Sequence, residues 1–538
     1  MTASRSLPAR PSLESLRKQA KKLARDIAAG DGGAIARARA HLPDVGLSLT
    51  QRTAQLVIAR EYGYSGWQDL TAEVSKRLGQ GLEWAIAQAR RVIHDNDVER
   101  LKQLLAEHPA LLSWRGTDDA SRGGLLGFAT GAYGDAGDPE RERSFTRAAC
   151  AELLIDAGAV VMPVVCDGII ESRARGLLEL FQRKGLLPPT LKFLAALGDL
   201  DAVRTALDDH GNDLATVNDA FLCACRFGHE AVASVLLERS IALDRDLGTQ
   251  VDGGAGRVAF VNYLIDARAA HATTAVRPWN AFVMAQVSRA AHDGDVPAFV
   301  STLQRERWLL GEDWVEFQIG LIGAATLNDR GHIISALLDL HPTLVHRRTN
   351  PEFHPIVLAL TYAKTHLIPL LTRIWPLPDD LPHAAGMGDL ARVKGWFDES
   401  GAPALGDLEK HFPCNDPHAL KHDDLQWGAP TAQHVVDTAL AWAVINRHFD
   451  VADFLLEHGA NVSTNWNSHE PASILHHLVF LPDPYESMQF LIDRGIDMTI
   501  KDYRWNSTAE GWARYGKSDE RMAHWLEEAR RQREARTR

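Results

Sequence analysis

The feature that most constrains the fold is a short pattern that returns along most of the chain. In each copy, small or apolar residues lead into a Gly-Asp or Gly-His pair, or a variant of it, and then into a Val/Leu-rich stretch with helical spacing. The clearest copies place the second residue of the pair at Asp199, His229, Asp295, His332, Asp389 and His448. Their separations lie close to one or two units of about 33 residues, a period typical of stacked helical repeats.

Each unit is predicted to be a helix, a tight turn and a second helix, which is too small to bury its own apolar face. The first helix is short and alanine-rich, as at Ala384 and Ala385, so that a neighbouring unit can approach closely. The second carries apolar residues on one face, such as Val451 and Leu455, and Gly459 supplies the left-handed residue that ends it. The pattern therefore predicts an all-α solenoid of stacked helix-turn-helix repeats, degenerate in the middle.

The C-terminal part carries a resemblance to a known family. The segment DTALAWAVINRHFDVADFLLEHGANVSTNW, residues 437–466, resembles the ankyrin consensus, with TALA at its T-P-L-H position. Residues 472–502 resemble it with one apparent insertion, and residues 507–526 look like a closing repeat in which Glu510 stands where a core leucine is usual. Together with LVIAREYGYSGWQDL at 56–70, the chain resembles a group of bacterial ankyrin-repeat proteins. This resemblance implies a module for protein–protein interaction.

The predicted domain organisation follows from these segments. A small helical N-terminal domain, which caps the array, precedes degenerate ankyrin-like repeats with loop insertions, an inserted loop, well-formed ankyrin repeats and a basic tail. Their predicted bounds are 1–79, 80–400, 401–436, 437–527 and 528–538.

Composition narrows the function classes. A net charge of −12 over 538 residues argues against wrapping nucleic acid as the main role. Five cysteines are too few for a disulfide scaffold and fit a reducing compartment. No apolar run approaches the ~20 residues that span a bilayer. We therefore expect a cytoplasmic protein that is a monomer by default and does not enter membranes.

The first predicted helix is basic on its outside. Ser12 is its predicted N-cap and Gly30 its stop, with apolar residues at helical spacing between them. Its cations are Arg17, Lys18, Lys21, Lys22 and Arg25. The favoured interpretation is a capping domain with a solvated basic face, because basic runs usually just face water. The alternative is a DNA-associated regulator that acts through this helix.

Three insertions, at residues 130–148, 244–260 and 399–436, are predicted to be loops. The third contains His411, Cys414, His418 and His422, with Asp423 beside them. Imidazole and thiolate ligands suit zinc or another divalent metal, but no paired C-x2-C half-site supports them. An enzyme or a small-molecule or metal-binding protein built from these insertions is therefore the second hypothesis, and no cofactor is expected under the first.

The favoured hypothesis is a non-catalytic scaffold, adaptor or inhibitor that binds a protein partner in a concave groove. No Walker-type loop, G-x-S-x-G, G-x-G-x-x-G or H-E-x-x-H motif occurs, and no catalytic residue is proposed. Fourteen tryptophans include several at predicted turn tips or on first helices, where aromatic residues anchor partners. The predicted binding residues are Trp442, Asn446, Trp466, Asn467, Tyr503 and Trp505. Packing between irregular repeats is an equally weighted alternative for the tryptophans.

Overall fold

The fold is wholly helical in the part of the chain that the structure, a computed structural model, describes. The described residues are 7, 11–42, 50–64, 66–67, 70–71, 73–74, 81–94, 96–115, 123–130, 147–208, 212–269, 276–346, 354–414, 431–465, 472–502 and 507–537. They form 29 α-helices and no β-strand, which confirms the all-α prediction. Among them, no helix combines the length and the apolar character needed to cross a membrane.

The chain divides into two compact units. Among the described residues, the first unit comprises those up to 130 together with 147–165, and the second comprises those from 166 onward. The helices of the first unit are α1 (Leu13–Ala28), α2 (Gly32–Arg39), α3 (Gln51–Glu61), α4 (Leu82–His94), α5 (Val98–Glu107), α6 (Gly124–Thr130) and α7 (Ala148–Asp156). The division falls inside α8 (Pro163–Glu171).

The second unit contains the predicted repeats. Its helices are α9 (Arg175–Arg183), α10 (Leu191–Leu197), α11 (Leu200–Asp208), α12 (Leu214–Phe227), α13 (Glu230–Leu243), α14 (Arg245–Gln250), α15 (Gly253–Asp266), α16 (Pro278–Asp293), α17 (Val296–Arg305), α18 (Val315–Leu327), α19 (Gly331–Leu340), α20 (Pro355–Thr361), α21 (Ile368–Leu371), α22 (Leu381–Gly386), α23 (Leu390–Lys394), α24 (Ala432–Ile445), α25 (Phe449–Glu457), α26 (Ile474–Val479), α27 (Tyr485–Asp493), α28 (Ala509–Gly511) and α29 (Glu520–Thr537).

The start of the first unit agrees with the sequence pattern. The Ser12 hydroxyl accepts the Ser15 N–H and begins α1, and Gly30 follows its end with φ +78°. The apolar face of α1 is buried at Leu16, Ala20, Leu23 and Ile27, and it packs in one core with α3. Removing these apolar side chains from water supplies most of the free energy that stabilises this small core, at roughly 25 cal/mol per Å² of buried apolar surface.

The repeats of the second unit share one continuous hydrophobic core that runs from Leu191 to Leu526. First helices pack on first helices, as α10 does on α12 and α22 on α24, and second helices on second helices, as α23 does on α25. Each unit thus buries its apolar face against the next one, as the pattern predicts.

The aspartate and histidine copies of the repeated pair have different roles. Asp199, Asp295 and Asp389 cap the second helix of their own unit, each accepting a backbone N–H three residues later at 3.0 Å. The histidines reach back to the preceding unit instead. The Nε2 of His229 lies 2.9 Å from the Ala196 carbonyl oxygen, that of His332 lies 3.1 Å from the Gly294 oxygen, and His448 hydrogen-bonds the Gly386 carbonyl.

A left-handed glycine makes each of these histidine contacts possible. Gly198, Gly294 and Gly388 have φ of +76°, +80° and +76°. A Cβ added at Gly388 would lie 2.5 Å from Nδ1 of His448, and one at Gly198 would lie 2.6 Å from Nδ1 of His229. The turn of one unit and the histidine of the next are therefore fitted to each other.

The predicted loop at 244–260 is wrong, because α14 and most of α15 occupy it. The Asp244 carboxylate accepts the N–H groups of Asp246 and Leu247 and so begins α14. Gly253 and the glycines that follow it open α15, whose later residues Phe260 and Leu264 pack into the core. This burial offsets the low helix propensity of glycine, about 1 kcal/mol per residue.

At the end of the chain, helix α29 takes in most of the predicted basic tail, through Thr537. The predicted domain boundaries themselves stay predictions.

We predict that Gly388→Ala destabilises the protein far more than Gly459→Ala, although both glycines are left-handed. Alanine at either position costs about 1–2 kcal/mol of backbone strain. At Gly459 the added methyl meets open space, whereas at Gly388 it meets the His448 ring, which adds about 1–3 kcal/mol. The urea midpoint of unfolding of each variant measures the difference.

The Gly388→Ala/His448→Ala double variant tests the assigned cause. Its loss should be smaller than the sum of the two single losses, because the ring that causes the clash is gone. Strictly additive losses would contradict the assigned contact.

Candidate functional site

Two rows of residues on the first helices of the last repeats form the candidate site. Positions 442, 477 and 512 are spaced by 35 residues and hold Trp442, His477 and Trp512, and the next row holds Ile445, Phe480 and Tyr515. These positions lie on α24, at the end of α26, and in the π-helical turn Trp512–Gly516 after α28. The equal spacing places equivalent side chains side by side on successive repeats.

Exposure increases toward the C-terminus along the second row only, because Trp512 in the first row is buried at 6% exposure. Trp442 and Ile445 are buried, whereas Phe480 is 48% and Tyr515 77% exposed. The Phe480 ring centroid lies 5.8 Å from that of Trp512, and His477 lies 6.3 Å from Trp512. We name His477, Phe480, Trp512 and Tyr515 the C-terminal aromatic surface.

The C-terminal aromatic surface is held in place from behind. The Trp512 indole N–H donates to the buried Asp502 carboxylate at 2.9 Å. His476, buried beneath it, hydrogen-bonds the Ser473 hydroxyl at 2.7 Å and the Ser507 carbonyl at 3.0 Å, and burial lowers its pKa. The histidine is therefore neutral at physiological pH and orders the stack, as expected for this position of the repeat.

Charged groups border the same surface. The Lys517 ammonium donates to the Val479 carbonyl at 2.8 Å, which satisfies the end of α26 beside Phe480. Arg514 pairs with Glu510 at 2.7 Å and with Glu520 at 3.3 Å, and Arg530 lies 3.8 Å from Glu510. Glu510, which replaces a usual core leucine, thus serves an ion-pair network instead of the core.

Trp442 does not lie on an exposed surface, and its predicted role as a partner anchor is corrected on that ground. Its ring stacks on Phe412 at a centroid distance of 4.9 Å and contacts His383 at 5.1 Å. Its indole N–H donates to the Thr361 hydroxyl at 3.2 Å. Packing between repeats, the alternative interpretation, describes this side chain, because the start of the long insertion supplies Phe412 to cover it.

Asn446 hydrogen-bonds across the same contact between repeats. Its side-chain N–H₂ group donates to the Leu360 carbonyl at 2.8 Å and to the Trp442 carbonyl at 2.9 Å. It therefore joins α24 to α20 and is half-buried. The remaining predicted binding residues, Trp466, Asn467, Tyr503 and Trp505, lie outside the described residues.

Of the four predicted metal ligands, His411 and Cys414 lie among the described residues. His411 is buried, its Nε2 lies 2.9 Å from the Leu405 carbonyl oxygen, and its Nδ1 accepts the Leu381 N–H at 3.4 Å. Both ring nitrogens are therefore occupied, which corrects His411 as a ligand. Burial raises the pKa of the half-buried Cys414 thiol, which disfavours the thiolate that a metal needs.

His418, His422 and Asp423 lie outside the described residues. Within the described part of the chain, no group of three or more His, Cys, Asp or Glu side chains is placed to hold a metal ion.

The sequence pattern did not predict a buried Asp–His pair, Asp380 and His383. His383 Nδ1 lies 2.9 Å from the Asp380 carboxylate, which also accepts the N–H groups of His383 and Phe412. Burial acts to raise the pKa of Asp380, but these hydrogen bonds outweigh it and leave the pKa below its usual value. The pair begins α22 and holds the start of the insertion on the stack. The pair is buried, and the His383 ring contacts Trp442 at 5.1 Å.

Comparison with known proteins identifies one part of the second unit. Residues 437–466 match the ankyrin repeat family model. These residues form an ankyrin repeat. No curated protein matches the chain. The matched repeat contains most of α24 and all of α25. Asp437 accepts the Asn461 N–H at 2.8 Å and the Gln433 amide at 2.7 Å, which holds the turn of this repeat.

We predict that the partly buried His354 makes stability fall as the pH decreases below about 6.5. Burial lowers its pKa from 6.5 to about 4, so the unfolded chain takes up a proton first. The contribution is present above pH 6.5 and is lost progressively between pH 6.5 and pH 4. The stability lost by pH 5 amounts to about 2 kcal/mol.

His354→Asn is the variant that isolates this effect. His354 caps α20 by accepting the Ile356 N–H at 3.2 Å, and asparagine is a good N-cap that does not titrate. Between pH 7 and pH 5, urea unfolding should show a smaller loss of stability in the variant than in the parent protein. Equal losses would show that His354 does not carry this pH dependence.

Proposed function

We propose that this chain is a non-catalytic recognition protein, a scaffold, adaptor or inhibitor, that binds a protein partner over its C-terminal aromatic surface. The ankyrin repeat at 437–466 supports the general role of a protein-interaction module. The finer assignment rests on one observation. Among the described residues, the exposed large apolar side chains include two aromatic rings, Phe480 and Tyr515, and both lie on this surface.

The energetics of these rings favour a binding role. An aromatic ring left in water forgoes a burial of up to 150–250 Å², so the exposed parts of two rings represent about 2–4 kcal/mol that a partner could recover. Binding energy in protein interfaces is concentrated in a few such aromatic anchors, surrounded by polar contacts that exclude water. Lys517 and the Arg514–Glu510 pair supply a polar border of this kind.

The contacts behind the C-terminal aromatic surface reduce the loss of side-chain entropy on binding. Trp512 is fixed by Asp502, and a Cβ added at Gly516 would lie 3.2 Å from the Phe480 ring, so the ring rests closely on the turn. Little side-chain entropy remains to be lost when a partner docks on Phe480. The chemistry of the surface fits a partner that presents an apolar pocket or groove. Trp466 and Trp505 stay in the proposal as tip contacts on the sequence pattern alone.

We predict that Phe480→Ala/Tyr515→Ala strongly reduces capture of the partner while the protein stays folded. The tagged full-length chain, the double variant and a control are compared by affinity capture from native lysate with quantitative mass spectrometry. The control, Val258→Ala/Leu327→Ala, removes two other exposed apolar side chains (50% and 43% exposed). Loss of the two rings should reduce the bound partner at least 10-fold, since anchors of this kind contribute more than about 1.4 kcal/mol.

Folding is checked by thermal unfolding, which should stay cooperative with a modest loss of stability, because Tyr515 is largely exposed but Phe480 is about half buried. The same proteins captured in equal amounts by all three chains would refute binding over this surface.

A further inference from the structure

Helix α1 of the first unit has two opposite faces of different chemistry. Its buried face consists of Leu16, Ala20, Leu23 and Ile27, which pack in the core of that unit. The basic face, defined as Arg17, Lys18, Lys21, Lys22 and Arg25, is exposed at all five residues. At 100° per residue these five cations occupy one side of the helix, opposite the core. Five positive charges thus lie on the exposed side of a helix whose other side is packed in a core.

Charge is distributed very unevenly along the chain. Residues 1–79 contain 13 Lys and Arg and seven Asp and Glu, so they carry +6 of a total of −12 and leave −18 on residues 80–538. The net charge of the whole protein, which argued against nucleic acid, therefore conceals a basic segment. Repulsion from the acidic remainder does not remove short-range attraction at the basic face, because salt screens charges beyond about 8 Å under physiological conditions.

The cations of the basic face form few ion pairs within the protein, and those few are weak. Lys18 lies 2.7 Å from Glu14 and Arg25 lies 3.7 Å from Asp26, and the Lys18–Glu14 pair is about three-quarters exposed on both sides. Exposed pairs of this kind contribute between 0 and about 1 kcal/mol. Arg17, Lys21 and Lys22 form no ion pair with a described residue. The positive charge is therefore available to an anionic partner.

The chemistry of the basic face discriminates among anionic partners. An interfacial membrane helix needs a free apolar face, but that of α1 is already packed in the core. A protein hot spot needs an aromatic or large apolar anchor, and none of the exposed large hydrophobic side chains among the described residues lies on α1. A nucleic-acid backbone needs only regularly placed cations.

We propose that the basic face of α1 binds the phosphate backbone of double-stranded nucleic acid without reading its sequence. Arg17, Lys21 and Arg25 recur every four residues, so they form a row about 12 Å long at 1.5 Å per residue. A duplex strand carries one charge per ~3.4 Å of helix axis, so such a row faces three or four phosphates. Lys18 and Lys22 extend the contact sideways. This proposal is independent of partner binding at the C-terminal aromatic surface.

We predict a salt dependence set by the number of these cations. The full-length protein is titrated against a fluorescent 20-base-pair DNA duplex by anisotropy at several salt concentrations. With five phosphate contacts, log K falls against log salt with a slope of about −4.5, which is about 500-fold weaker binding between 50 and 200 mM salt. Lys21→Ala/Lys22→Ala should bind more weakly and lower the slope to about −2.7, or about 40-fold over the same range.

The matched control removes two exposed arginines from the second unit, Arg183→Ala/Arg204→Ala, and should bind like the parent. All four substitutions place alanine, the best helix former, at exposed helical positions, so the fold is retained. Three results would overturn the proposal: no binding of the duplex at 50 mM salt, an equal effect of both double variants, or binding of phosphatidylserine vesicles in place of the duplex.

Discussion

The structure of the second unit depends on the packing of each repeat against the next, because no single pair of helices can bury its own apolar face. The alanine-rich first helices allow this close approach, and the core from Leu191 to Leu526 is continuous as a result. At three junctions the approach is fixed by the same contact, in which a histidine of one repeat covers a left-handed glycine turn of the repeat before it. The hydrogen bond from the ring to a backbone carbonyl also satisfies the end of the preceding first helix.

The same stacking determines which aromatic residues can meet a partner. Trp442, His477 and Trp512 occupy equivalent positions, but the neighbours supplied at each position differ. At Trp442 the chain brings Phe412 from the long insertion, and the Asp380–His383 pair fixes that segment on the stack. At Phe480 and Tyr515 the described residues provide backing from Trp512 and Gly516 but no comparable cover. Among the described residues, the position that is buried at Ile445 is therefore exposed at Phe480 and Tyr515.

The two units also differ in their electrostatic character. The first is built around α1, whose amphipathic pattern separates a buried apolar face from five cations. The second carries most of the acidic excess of the chain. The two binding sites that we propose rely on different interactions, charge on α1 and apolar contact at the C-terminal aromatic surface.

The sequence by itself determined the helical class, the repeat period and the boundaries of α1, because these depend on local periodicity and on capping residues such as Ser12. Only the tertiary structure decided that Trp442 is buried, that both nitrogens of His411 are occupied, and that residues 244–260 form helices. Each of these depends on residues distant in the sequence, Phe412 and Thr361 for Trp442, Leu381 for His411, and the shared core for α15. Burial is a property of the assembled neighbours, and a local pattern does not contain it.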